Sequence, residues 1–474
     1  MRAPYFFAGA LLFLAGCCFA DTTTPSILGM QIKQYGWVAF DEGEIVQGTN
    51  DALHSSEGAA GAPLGKIWMD DLLFKYKDDF LVTPRMRIAL SIQSQVNFTY
   101  PYDQSGVGQY TKQPQITFTP DRAEAMYTIG DYNKPTLQFG FGYFPFKTDP
   151  DAKNLGDYLF RTGTYPVYVV NTFDWAYARL LGGRVTSNLS ADLFNAIPVD
   201  IHQDLLLTSN TMMPPLGDGT LSYLFGFSFN KILEIGGGVS LASLLPLDTQ
   251  LTTPTTNNSS EYKIKSISKN VYAGDTVLDT AFYYYTFAAV KPMLRLAFDP
   301  KPLIPGGLIP GNLFGKDDFR IYGEVCVTGW EDYPASISSP EYTYANRNDR
   351  TLIMGGFDVP TCKLLDVMSV EVEHYPNRYP NDNAYVMGQS GENSLPVPLP
   401  VLLPNASNLP GGKVYPWFWS FYAKKTFLDR FSLIAQLARD HMRPFNNNPL
   451  YAYTGDVFEQ KGDWWWNVRL RADF

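Results

Sequence analysis

Cysteine is scarce in this 474-residue chain: there are four, and two of them, Cys17 and Cys18, lie within the first twenty residues. Cys326 and Cys362 are the only thiols beyond that point, which excludes a small disulfide-stapled scaffold. Histidine is equally rare at four, and no G-x-S-x-G nucleophile motif occurs. Cations are in deficit, with 37 Lys and Arg against 47 Asp and Glu and a net charge of −10. That balance speaks against a general nucleic-acid binder, and no block of like charge forms a tail. After the N-terminus no apolar run approaches the roughly 18 residues that a membrane-spanning helix needs. No cofactor or metal is expected.

What the chain has instead is aromatic: 30 Tyr and 32 Phe within an aromatic share of 15%, against only 18% charged residues. Glycine and proline are frequent, at 39 and 34, as suits many strands joined by turns. The opening segment MRAPYFFAGALLFLAGCCFADTTTPS carries one cation, Arg2, then an apolar stretch from Tyr5 to about Cys18 and small residues. It reads as a secretory signal peptide, too short to span a membrane. Cleavage after Ala20 would leave residues 21–474 as a single barrel domain. Leu14-Ala15-Gly16-Cys17 offers a second reading, as a lipoprotein box that would lipidate Cys17, although a barrel needs no such anchor.

Period-two alternation recurs along the chain. RIALSIQSQVNF places Ile88, Leu90, Ile92, Val96 and Phe98 opposite Arg87, Ser91, Gln93, Gln95 and Asn97. The terminal WWWNVRLRADF sets Trp466, Val468, Leu470, Ala472 and Phe474 against Asn467, Arg469, Arg471 and Asp473. Helical spacing fits these stretches less well. The expected strands are 31–41, 67–77, 85–98, 122–130, 135–147, 172–186, 189–197, 221–230, 233–243, 280–298, 317–330, 350–360, 365–375, 415–426, 431–440 and 464–474. That is 16, within a range of about 14–18. Long and short connections alternate between them, apart from 299–316, which ought to be short. A soluble sandwich has no cause to alternate so, whereas an up-and-down antiparallel transmembrane β-barrel does, with short periplasmic turns and long extracellular loops. Eight of the nine tryptophans, all but Trp37, fall toward long-loop strand ends, where a membrane-boundary girdle is expected.

These features together resemble a Gram-negative outer-membrane β-barrel protein, and the strand count resembles the 16-stranded general porins. The resemblance implies an outer-membrane location among lipid and lipopolysaccharide, and a homotrimer as one assembly it allows. It also implies that Phe474 is the terminal signal read by the barrel-assembly machinery. The expected function is a channel for passive diffusion of small hydrophilic solutes or ions. In general porins the third long loop folds inward. Here that loop is 148–171, with Asp149, Asp151, Asp157, Lys153 and Arg161 and a semi-apolar YPVYVV stretch. Arg87, Lys291, Arg295, Arg320, Lys424, Arg469 and Arg471 fall on the polar side of their strands and are the wall cations such a loop would face. Glu324, Glu371 and Glu373 also face inward by periodicity, so ion preference stays open.

Two other functions remain open. A barrel enzyme of phospholipase or protease type would draw on Glu373-His374 or Asp440-His441. However, strand 415–426 lies between the two pairs, and strand neighbours point to opposite faces. A surface barrel with a structural or adhesive role would use its loops, such as the proline-rich LPVPLPVLLPNASNLPGG within 376–414. Cys326 and Cys362 sit at heights too different for a disulfide, so two free thiols are expected.

Overall fold

The computed structural model describes residues 26–27, 30–48, 67–97, 102–103, 106–107, 115–131, 135–160, 178–193, 197–209, 218–246, 264–273, 276–286, 289–304, 313–330, 335–336, 346–376, 415–441, 458 and 460–474. Sixteen antiparallel strands close into one barrel. In chain order they are β1 (Met30–Gln47), β2 (Ile67–Leu81), β3 (Met86–Asn97), β4 (Gln115–Gly130), β5 (Pro135–Phe146), β6 (Ala178–Leu193), β7 (Ile197–Ser209) and β8 (Asp218–Phe229). They continue as β9 (Leu233–Pro246), β10 (Ala289–Phe298), β11 (Ile321–Val327), β12 (Thr351–Asp358), β13 (Val367–His374), β14 (Trp417–Phe427), β15 (Phe431–Arg439) and β16 (Trp464–Asp473). Each pairs with its chain neighbour, and β16 returns to β1 in a register running from Trp37↔Asp473 to Gln47↔Trp464. Closure leaves no strand edge open, which a hydrocarbon surround would require.

Alternation decides the two faces. The outer wall is apolar, with Phe118 and Phe141 about 70% exposed and Leu90, Ile116, Leu296 and Val372 beside them in kind. On β8 an aromatic row, Tyr223-Phe225-Phe227-Phe229, runs along the outside at ring spacings of 5.7–6.5 Å. The inner wall carries the charge: Asp41, Asp71, Asp79, Glu124, Glu324, Glu371 and Arg469 are all buried within the barrel. Apolar outside and polar inside inverts the soluble pattern and matches a barrel solvated by lipid.

The two rims differ as expected. Three tight turns use left-handed pairs, Asn230-Lys231, Cys362-Lys363 and Leu428-Asp429, with φ between 50° and 65°. Such pairs match the right-handed twist of hairpin strands. The connection 299–320 is indeed long, and its described end, 313–320, is fastened to the turn after β12. Asp318 accepts from Gly315 N at 2.7 Å and from Thr361 N, Thr361 Oγ1 and Cys362 N at 3.2 Å. This joins two neighbouring turns. Burial works to raise the Asp318 carboxyl, but these four bonds outweigh it and hold it below the usual carboxylate range.

Several expected boundaries are corrected. The turn placed at 187–188 is strand: β6 runs through it to Leu193, and β7 occupies Ile197–Ser209 instead of 189–197. The polar run there looks like a turn but faces inward, where Thr186 Oγ1 donates to Asp204 at 2.5 Å and Asn188 bonds His202 at 2.7 Å. The strand expected at 280–298 divides. Thr276–Thr286 pairs with Ile264–Ala273 in a separate hairpin, and only Ala289–Phe298 joins the barrel. β4 begins at Gln115 rather than 122 because Asp121 is a bulge, the register stepping from Ser91↔Arg122 to Ile92↔Pro120. β1 extends past 41 to Gln47.

Trp417, Trp464 and Trp466 stand at long-loop strand ends, but Trp465 turns inward and is 1% exposed, its Nε1 donating to Asp440 at 3.0 Å. Trp175 lies outside the described residues. Both cysteines are free, Cys326 buried and Cys362 exposed.

Candidate functional site

After β5 the chain does not leave the barrel. Residues 147–160 fold into the lumen, where Asp149, Ala152, Leu155, Asp157, Tyr158 and Leu159 are buried. The segment first shapes itself. Asp157 accepts from Thr148 N at 2.6 Å, Asp149 N at 3.2 Å and the Thr148 hydroxyl, which pins the end of the loop to its beginning. Gly156 and Asp157 then take φ of +84° and +64°. A side chain at 156 would be strained by that backbone and would also meet Met354 Cε at 2.5 Å. Successive amides are thereby turned outward from the loop, as in an anion-cradling nest.

The anions they meet are wall glutamates. Glu371 accepts from Lys153 N and, at 2.9 Å each, from Asn154 N and Leu155 N. Glu324 accepts from Asp157 N at 2.8 Å and Tyr158 N at 2.7 Å. Glu373 accepts from the Tyr158 hydroxyl at 2.6 Å, and Asp440 accepts from Asn154 Nδ2 at 2.7 Å. Hydrogen bonds to a charged partner contribute about 1.5–3 kcal/mol each, above neutral ones. Apolar contacts complete the dock: Leu155, Tyr158 and Leu159 pack with Leu206, Leu224, Met293, Tyr322, Met354 and Phe418 of the facing strands.

The expected loop carboxylates divide in role. Asp151 pairs with Arg320 at 2.7 Å, and Arg320 also reaches Glu234 at 3.0 Å. Asp149 lies 3.5 Å from Arg295. Its carboxyl is pushed up to about 6 by burial, with the Arg295 guanidinium opposing and Asp151 and Asp157 adding to the rise. Asp157 is spent on the loop's own backbone. Arg161 and the YPVYVV stretch lie outside the described residues.

The expected wall cations all face inward. Arg87 pairs with Asp79. Lys291 is buried on β10, opposite Ser240. Lys424 is partly buried on β14, between Val367 and Ile434. Arg469 forms a two-pronged pair with Asp41 at 2.6 and 2.7 Å across the closing seam. Arg471 bonds Asp473 at 2.5 Å and covers Trp37, 4.9 Å from the ring centroid. Phe474 exchanges backbone bonds of 2.9 Å with Gly36, and its ring lies over that glycine and stacks on Phe74 at 6.2 Å.

The structure also supplies side chains that the periodicity did not single out. Arg122 and Arg184 grip Glu124 from two sides, each at 2.6 Å. Lys77 lies 3.1 Å from Asp79, and Lys75 lies 2.7 Å from Asp121. The β2 residues were readable from alternation in KYKDD. Arg122 opens the expected strand 122–130 and Arg184 lies within the expected strand 172–186, so alternation gives each a face, but neither is among the expected wall cations.

One expectation about histidine is reversed. His441 and Glu373 are not kept apart by β14: His441 Nε2 lies 2.6 Å from Glu373 Oε1. The histidine follows β15 and reaches over the inward Phe418 of β14, stacking on it at 4.2 Å with Tyr375 at 4.6 Å. His374 points the other way, its ring 4.8 Å from Trp417. The His441 and Glu373 side chains are 2% and 0% exposed. No nucleophilic serine or thiol is bonded to the pair among the described contacts; its third member is Tyr158, which belongs to the loop dock.

These features define a closed 16-stranded antiparallel barrel with a loop seated inside it. No family model matches the chain, and no curated protein matches it by sequence. Among solved structures it is similar to Salmonella typhi OmpF in a complex with daunomycin, at 9% identity and a TM-score of 0.40, covering 94% of this chain and 98% of that one. Pseudomonas putida OprB gives 9% identity and a TM-score of 0.40 over 94% of both chains. The outer membrane channel DcaP of Acinetobacter baumannii gives 9% and 0.38, over 95% of this chain and 99% of that one.

Proposed function

We propose that the protein is an outer-membrane channel for passive diffusion of small hydrophilic solutes, inserted after removal of residues 1–20. The observation that carries this reading is the placement of the inserted loop. Its described residues 147–160 dock on side chains of β7–β14 and on Phe146 of β5, while Arg87, Arg122 and Arg184 on β3, β4 and β6 keep partly accessible side chains. An apolar exterior supports life in a bilayer, and a polar, charged interior supports a watery path. Asp149, Asp151 and Asp157 shape the loop that narrows this path. Arg295 and Arg320 anchor it, and the other cations line the wall. The His441–Glu373 contact fits a clasp between the loop dock and the long-loop rim better than a catalytic base, because both groups are sealed from solvent.

Liposomes bearing the purified protein test the reading. In isotonic solutions of small sugars or amino acids they are expected to swell at rates that fall with solute size. Folded barrels that leave swelling at the level of empty liposomes would contradict it and return weight to the enzyme or adhesive readings.

A further inference from the structure

The charges inside the barrel are layered in depth. On the wall of β2–β6, Glu124 lies behind Arg122 and Arg184, Asp79 behind Lys77 and Arg87, and Asp121 behind Lys75. The three carboxylates are 0–2% exposed, whereas the five cations are 14–27% exposed. Two of these groupings set two cations around one carboxylate. The loop side repeats the order: Asp149 at 0% lies behind Arg295 at 14%, and Asp151 at 11% behind Arg320 at 19%. Glu324, Glu371 and Glu373 are covered, their oxygens turned into the loop's amides and Tyr158. Among the described residues three carboxylates break the pattern: Asp200, three residues into β7 and accepting from Ser190 Oγ at 2.5 Å, and Glu234 and Asp473. Glu234 and Asp473 lie within a residue of a strand end at the short-turn rim and are already paired, to Arg320 and Arg471.

A permeating ion responds to the charges it approaches, and Coulomb energy falls with distance. Along this wall the approachable charges are guanidinium and ammonium groups, while the acids that neutralise them stand one layer further back. Guanidinium forks also match oxygen anions in shape and hydrogen bonding. We propose that the lumen selects small oxyanions, the carboxylate and phosphate class, over cations of similar size, even though the whole chain is acidic. This rests on the channel reading above and names the solute class for it.

A planar bilayer holding the purified protein between unequal KCl solutions tests the proposal. The zero-current potential is expected to take the sign set by chloride, with chloride severalfold more permeant than potassium. Inorganic phosphate at constant ionic strength should lower the chloride current by competing for the same wall. Glu124→Gln, close in shape, frees two guanidinium groups from their carboxylate and should raise the anion preference further. Lys77→Gln with Arg87→Gln should lower it, heat-modifiable migration confirming that each variant has folded. Potassium preference in the unaltered channel, or selectivity unmoved by both sets of changes, would overturn oxyanion selection while leaving the channel intact. Absence of any conductance from folded barrels would instead contradict the channel.

Discussion

Asp149 is the side chain at which protonation and loop position meet. Its carboxyl titrates near 6 when seated in the lumen, against 3.8 for an ordinary aspartate, because burial outweighs the pull of Arg295. A docked loop therefore holds a proton between about pH 4 and 6 that a released loop would give up. An acid whose folded value is raised costs stability when ionised, so docking gains as pH falls through 6 and loses as it rises. Open-channel current should accordingly grow quieter from pH 7 to pH 5. Asp149→Asn should flatten that dependence; an unchanged profile in the variant would show that another group governs it. Single positions of this kind were readable only in part. Periodicity put Arg87, Arg469 and the three wall glutamates on the inner face, because alternation is a rule of geometry. It said nothing of their partners. Sequence offered basic wall residues to face the loop's acids, whereas the larger share of the dock consists of wall carboxylates accepting from backbone amides, which carry no side-chain signature.

The inserted loop is held by β11 and β13 more than by its own charges. Glu371→Ala would strand the amides of residues 153–155 within the lumen. Each unpaired buried donor costs about 1–3 kcal/mol, enough together to favour a loop that swings away. The expected outcome is a larger single-channel conductance with more frequent fluctuations, compounded by adding Glu324→Ala, while the barrel itself stays heat-modifiable. Conductance identical to the parent would mean that apolar packing of Leu155, Tyr158 and Leu159 suffices to seat the loop. At this scale the sequence was most deceptive where lumen chemistry imitates turn chemistry. Thr186, Ser187 and Asn188 have turn composition, yet Thr186 and Asn188 are polar because they look into the barrel. The Asp121 bulge likewise put two successive side chains, Asp121 and Arg122, on the inner side, where simple alternation allows one.

The whole molecule depends on one seam. β1 and β16 close the barrel through their ladder, the buried Arg469–Asp41 pair, and Phe474, whose ring covers the bare backbone of Gly36. Closure, strand number and the inequality of the rims were legible from alternation and connection lengths alone, since a bilayer permits few solutions to backbone hydrogen bonding. Deleting Phe474 removes one residue's backbone bonds and ring contact, a small part of the seam. We expect it to impair insertion in cells far more than it lowers the urea midpoint of barrels refolded in vitro. Equal insertion of the truncated chain would count against Phe474 as an assembly signal. The central claim, that this barrel conducts, is tested most directly by single-molecule current across a planar bilayer. Folded, heat-modifiable protein is expected to add current in discrete, equal steps, and Glu371→Ala to enlarge the step. A folded barrel that inserts and yet passes no current, in parent and variant alike, would contradict it.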